Sequence, residues 1–285
     1  MPEKIGLIAG AGGFPLLFAR EAKARGCEVF TAGLTGMTSP EAEGLSKEIA
    51  YFRLGQLSAP IDFFKKHGVT RVLMAGKIEH VSIFGGFLPD LRAARLLLTL
   101  KDRRPTSVFA AIAGELAKDG IEVVSSATFL ESSLPKPGPL TEKTPHKDRE
   151  SSIAAGWKAA RTIADLDIGL TVVARGGAIV AVEGMEGTDE CIKRAGEIFA
   201  RLLPGEKPPK DMVVVKVARP GQDMRFDLPV VGAPTLEAMT AAGADTLILE
   251  AGTTLILGMD GFLARAAELG IAVTAIDPAC PGSKS

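Results

Sequence analysis

At 285 residues, 46% of them hydrophobic and with a formal net charge of −1, the chain has material for two cores and lacks the basic face that nucleic acid requires. No run approaches the roughly 18 uninterrupted apolar residues of a spanning helix, and no polybasic cluster marks a membrane anchor. Cys27, Cys191 and Cys280 have no paired spacing and His67, His80 and His146 are scattered, which argues against a disulfide framework, a zinc site or an imidazole-held metal.

In chain order, Met1-Pro2-Glu3-Lys4 leads directly into a strand at 5–9, with no signal-peptide pattern expected. The turn Gly10-Ala11-Gly12-Gly13 follows, and Pro15 suits the first position of an amphipathic helix over 16–25. Strands are predicted at 27–32, 71–75 and 121–124, with helices at 61–67, 91–101 and 107–119. This rhythm predicts a parallel, helix-flanked sheet, a Rossmann-like α/β domain over residues 1–133. Leu134-Pro135-Lys136-Pro137-Gly138-Pro139-Leu140 cannot join a helix, so 134–148 is read as a stiff, extended, proline-rich linker. Beyond it come a helix at 149–163, a hairpin of 169–174 and 178–183 around Arg175-Gly176-Gly177, and a helix at 188–203. A strand at 212–217, a helix at 235–242, a strand at 246–250, a helix at 262–269 and a strand at 271–276 complete a mixed-sheet α/β domain over 149–285.

Two acidic, glycine-bounded segments, at 181–190 and 216–229, follow apolar runs, so they place carboxylates where strands give way to loops, the rim at which α/β proteins bind ligands. In the first, Thr188 can cap the following helix and Asp189 and Glu190 complement its positive end. Glu183 and Glu186 precede the cap and have no such structural reason; a helix start bearing a hydroxyl would equally hold a phosphate oxygen. In the second, Gln222-Asp223-Met224-Arg225-Phe226-Asp227, the charges stand at alternate positions, so an extended chain would aim Asp223, Arg225 and Asp227 to one side. Two aspartates suffice for Mg²⁺, which takes one or two carboxylates plus substrate oxygens. Lys216 ends the preceding strand and Lys77 follows the strand at 71–75, each a cation at a strand exit. Gly10, Gly12 and Gly13 offer backbone amides to an anion, or serve only as a tight turn. A dinucleotide fingerprint is incomplete, because its third glycine is Pro15 and Thr31-Ala32-Gly33 brings no acid for a ribose.

Together these segments resemble the UDP-2,3-diacylglucosamine pyrophosphatases of the LpxI type, over nearly the whole chain. The likeness rests on Gly6-Leu7-Ile8-Ala9-Gly10-x-Gly12-x-Phe14-Pro15, Ala75-Gly76-Lys77, Leu166-Asp167-Ile168-Gly169, Ala181-Val182-Glu183-x-x-Glu186-Gly187-Thr188-Asp189 and Gln222-Asp223-x-Arg225-Phe226-Asp227-Leu228-Pro229. Leu170 departs from the glutamine usual in that family. The resemblance implies Mg²⁺-dependent hydrolysis of the lipid-linked nucleotide sugar to UMP and 2,3-diacylglucosamine 1-phosphate (lipid X), with the family's essential aspartate falling on Asp227. It implies two α/β domains around a lipid-holding chamber, a homodimer, and cytoplasmic action peripheral to the inner membrane. Asp227 and Asp223 would serve the metal, with Lys216 and Arg225 neutralising charge. Glu183, Glu186, Thr188, Asp189, Gln222, Lys77 and the glycine turn would line the substrate. The alternatives are a nucleotide-dependent oxidoreductase, resting on the glycine turn, and a non-catalytic lipid- or nucleotide-sugar-binding protein.

Overall fold

The computed structural model describes residues 2–78, 88–100, 105–202, 210–226 and 228–279. The chain forms two compact units: residues 1–131 together with 223–227, and residues 132–222 together with 228–285.

The first unit holds β1 (Lys4–Ala9), α1 (Phe14–Ala24), β2 (Glu28–Leu34), β3 (Glu48–Phe52), α2 (Ser58–Lys66), β4 (Arg71–Ala75), α3 (Leu91–Thr99), α4 (Pro105–Lys118) and β5 (Glu122–Val123). Its sheet runs β3-β2-β1-β4-β5 and every pair is parallel, a Rossmann-like order. The central strands are near-continuous apolar runs because helices cover both faces. Gly6 shows how closely: a Cβ there would lie 2.5 Å from Val72 Cγ1 and 2.8 Å from the Phe64 ring of α2. Strand β3 was not anticipated from the sequence. It is a short edge strand, half-buried at most, and Tyr51 stands exposed on it.

The second unit holds β6 (Gly138–Pro139), α5 (Glu150–Asp165), β7 (Thr171–Arg175), β8 (Ala178–Val182), α6 (Thr188–Leu202), β9 (Met212–Lys216), β10 (Val230–Val231), α7 (Ala233–Ala242), β11 (Ala244–Glu250), β12 (Leu255–Ile256), α8 (Met259–Glu268) and β13 (Ala272–Ile276). Its six-stranded sheet runs β6-β13-β11-β9-β7-β8, with β9, β11 and β13 parallel and the others antiparallel to their neighbours. The hairpin of β7 and β8 turns through Gly176 and Gly177, both at positive φ. Strand alternation divides the core between the two faces. Val173, Ala181, Val214, Leu247 and Leu249 meet α6, α7 and α8, whereas Val172, Val213, Val215 and Ile248 meet α5.

The proline-rich stretch expected as a linker is extended, and part of it lies on the edge of this second sheet. Gly138–Pro139 pairs antiparallel with β13, and the Thr141 hydroxyl accepts from Val273 N at 2.9 Å. Proline is tolerated there because an edge strand leaves one side of its backbone unpaired. Residues 223–227 join the first unit although the chain on both sides of them belongs to the second. Ser126 receives them: its N–H donates to Met224 O at 2.7 Å and its hydroxyl to Arg225 O at 2.7 Å. Phe226 stacks on Phe109 with ring centroids 6.1 Å apart.

Candidate functional site

In the second unit, three polar residues continue the α6-facing register of the core strands by one step past its last apolar members. Thr171 precedes Val173 on β7, Glu183 follows Ala181 beyond β8, and Lys216 follows Val214 at the end of β9. All three are buried, at 0%, 7% and 4% exposed, beside the first residue of α6, Thr188. Lys216 Nζ donates to Thr188 Oγ1 at 2.7 Å and to Thr171 Oγ1 at 3.3 Å. The Thr188 hydroxyl donates to Glu183 Oε1 at 3.0 Å, while Glu183 Oε2 accepts from Leu170 N at 3.0 Å. Burial alone would raise the Glu183 carboxyl. The charge of Lys216 and the donors Thr171, Leu170 and Thr188 outweigh it and hold the group below its ordinary value. A buried lysine and a buried glutamate, bridged by the Thr188 hydroxyl, thus sit at the carboxyl edge of the parallel strands. The cap expected of Thr188 gives way to this role: its hydroxyl goes to Glu183 and Lys216.

Around this pair the rim loops are stitched together. Glu186 Oε1 pairs with Arg194 at 2.5 Å, Arg194 also donates to Val182 O at 2.7 Å, and Glu186 Oε2 accepts from Gly184 N. A concavity of about 560 Å³ opens here, walled by Ile168, Glu183, Glu186 and Arg194. Asp189 Oδ1 accepts from the buried Thr235 hydroxyl at 2.8 Å, which ties the first turn of α6 to the start of α7. Asp167 adopts a left-handed φ of 58° and pairs with Arg219, and Arg219 N donates to Gln222 Oε1 at 2.7 Å. Aspartate tolerates that conformation better than most residues. Gly169 lies so close to the next loop that a Cβ would fall 2.2 Å from Glu183 O. Gly169→Ala should therefore destabilise the protein by about 1–3 kcal/mol, read as a lower urea midpoint at unchanged slope.

One pair escaped the sequence reading. Glu250, 4% exposed at the end of β11, accepts from Arg161 Nη1 at 2.8 Å and from Ala218 N at 3.2 Å. It lies on the α5 face of the sheet, opposite Lys216. The available signal was a carboxylate closing an apolar strand, the same signal that singled out Glu183.

In the first unit, the expected residues gather at the carboxyl ends of β1 and β4. Ala11 and Lys77 exchange backbone hydrogen bonds at 2.9 Å in both directions, and Gly10 N donates to Ala75 O at 2.8 Å. The Gly10 amide is thereby spent, so the anion-binding expectation at that residue becomes a structural one: a Cβ there would lie 2.7 Å from Lys77 O. Gly12, at φ 93°, and Gly13, which caps α1, shape the turn. Ser126 ties residues 223–226 to the same edge, since its hydroxyl also lies 3.0 Å from Met74 O of β4.

The second acidic segment is not extended. Phe226 N donates to Asp223 O at 3.2 Å, and Arg225 N donates to Asp223 Oδ1 at 3.1 Å, an aspartate-initiated turn. Arg225 folds back on Asp223 through a fork, Nε to Oδ1 at 2.9 Å and Nη2 to Oδ2 at 2.7 Å. That arginine holds the Asp223 carboxyl below its ordinary value. The alternating fan of charges fails because aspartate at the start of a turn captures the N–H two residues on. Asp227 lies outside the described residues. Of the two aspartates expected to serve Mg²⁺, Asp223 has both oxygens engaged by Arg225, and among the described residues no three histidine, cysteine or carboxylate groups cluster.

The expected site residues fall in both units, with Gly10, Gly12, Gly13, Lys77, Asp223 and Arg225 in the first and Glu183, Glu186, Thr188, Asp189, Lys216 and Gln222 in the second. Comparison with known proteins covers both. The model for the LpxI N-terminal domain matches residues 4–133, and that for the LpxI C-terminal domain matches residues 136–274. A protein of Caulobacter vibrioides named UDP-2,3-diacylglucosamine pyrophosphatase LpxI is 28% identical over 280 residues, 97% of this chain and 98% of its own length. Among solved structures, the biotin carboxylase subunit of pyruvate carboxylase aligns over 70% of this chain and 40% of its own, at 12% identity and a TM-score of 0.27. The biotin carboxylase of Campylobacter jejuni aligns over 71% and 43%, at 11% identity and the same TM-score. Likeness at that level carries nothing about this chain.

Proposed function

This chain belongs to the LpxI family, and from that premise we propose that it hydrolyses the pyrophosphate bond of UDP-2,3-diacylglucosamine. The observation that carries the reading is the end-to-end correspondence with a relative bearing that activity's name. Water would bond to the sugar-side phosphorus and the bridging P–O bond would break. UMP would leave with the bridging oxygen, and 2,3-diacylglucosamine 1-phosphate would remain. Such a displacement needs cations at the non-bridging oxygens and an oriented nucleophile. Lys216 and Arg225 are the proposed cations, and Asp227 is proposed to orient the water.

Magnesium dependence belongs to the same proposal. Mg²⁺ keeps several waters and binds one or two carboxylates with substrate phosphates, so Asp227 and Asp223 are proposed to hold it together with substrate oxygens. Action at the cytoplasmic face of a membrane, and a homodimer, complete the reading. No helix among the described residues is long and apolar enough to cross a membrane.

Incubation with UDP-2,3-diacylglucosamine in ¹⁸O water, with and without EDTA, is the test. We expect UMP release abolished by EDTA and the label recovered in the phosphate of lipid X. Label in UMP would overturn the site of attack, and binding without UMP release would favour a non-catalytic carrier. A thermal shift with NAD(P) would instead revive the oxidoreductase, which the glycine turn alone suggests.

A further inference from the structure

We infer that Lys216 is the ligand-gripping cation of the second unit, and that Thr188 and Glu183 are positioning residues acting through it rather than substrate contacts. The inference deepens the proposed reaction and relies on it only for the ligand being a phosphate anion.

An ammonium has three donors. Two of them are directed to Thr188 Oγ1 and Thr171 Oγ1, and the third has no acceptor among the described residues. Leaving a donor unspent on a group that is 96% buried is costly unless something else receives it. A buried ion pair is also poor evidence of a stabilising design, since apolar side chains of similar volume usually do as well. The neighbouring pair on the opposite face differs in this respect. There Arg161, which donates to Glu250 and to Ala218 O, keeps 31% of its side chain exposed, so water can take its remaining donors.

The placement of Lys216 points the same way. Its ammonium touches the first residue of α6, the positive end of a helix, where a cation is unfavourable without anions beside it. Glu183 supplies one negative charge. A phosphate oxygen would supply the second and accept the third N–H. The Thr188 hydroxyl has a single proton, which goes to Glu183, so its oxygen is left to accept from Lys216. That directional chain fixes the ammonium in one orientation. Valine would keep the shape of Thr188 and lose the chain, whereas serine would keep it.

The test is calorimetric titration of inorganic pyrophosphate into the full-length protein. The proteins compared are wild type, Thr188→Ser, Thr188→Val, the pair Glu183→Gln/Lys216→Met, and that pair combined with Thr188→Val. The pair removes both charges together, so no unpaired charge stays in the core. Wild type should bind pyrophosphate, Thr188→Ser within about threefold of it and Thr188→Val at least about tenfold more weakly, as expected for disturbing one charge-assisted hydrogen bond. The pair should lose at least as much, and adding Thr188→Val to it should change nothing further. Absence of binding to wild type, wild-type affinity in a folded Thr188→Val, or a multiplied loss in the triple variant would each overturn the inference. Should binding follow the expected pattern while wild type releases no UMP, the proposed reaction falls and the role of Lys216 stands.

Discussion

Asp227→Ala should lower the rate of UMP release at saturating substrate by at least about a hundredfold, with a thermal midpoint close to that of wild type. Removing one electrostatic group aimed at developing charge typically costs about 10²–10³ in kcat. The residue before it, Phe226, is fixed in the core of the first unit through its stacking on Phe109 and its N–H bond to Asp223. The alanine variant should therefore fold. Asp227→Asn is the companion measurement: it keeps the size and removes the charge, so it should fall nearly as far. Near-normal turnover in either folded variant would remove Asp227 from the mechanism.

Glu183→Ala should unfold the protein more readily by about 3–5 kcal/mol, the usual consequence of removing one member of a buried ion pair. It strands the Lys216 ammonium and leaves Leu170 N and the Thr188 hydroxyl without their carboxylate. The pH dependence has a definite sign. The folded-state pKa of Glu183 lies below its ordinary value of 4.5, so the stability it contributes is fully present above that value. It is lost progressively as pH falls through 4.5 toward the folded-state pKa. The gap in urea midpoint between wild type and Glu183→Gln should accordingly be widest near neutrality and narrow in acid. A gap that stays constant down to acid pH would show that the carboxylate's charge is not what stabilises.

Much of this was legible because strong signals agreed locally. Helix α6 begins at Thr188, where an acidic first turn follows Gly187, and the hairpin of β7 and β8 sits on its glycine pair. The positions of Glu183 and Lys216 at strand ends were legible, whereas their burial, one step beyond an apolar run on the α6 face, was not. Elements without periodicity were missed: β10 and β12 are two residues each and pair only with one another. The turn at 223–226 was misread because alternation of charge resembles a strand, while a single side-chain acceptor at Asp223 decides the backbone. Glu250 and Arg161 lie 89 residues apart in sequence, and nothing local couples them. The edge pairing of Gly138–Pro139 likewise depends on β13, far downstream.

The loan of residues 223–227 to the first unit bears on how the gene can be divided. A fragment ending at residue 133 would carry a whole family-matched half, yet Ser126 would face solvent where it now meets Met224 O and Arg225 O. Phe109 would lose its ring partner. Such a fragment should be sticky and poorly soluble by itself, and a synthetic peptide spanning Gly221 to Pro229, supplied in trans, should restore its solubility.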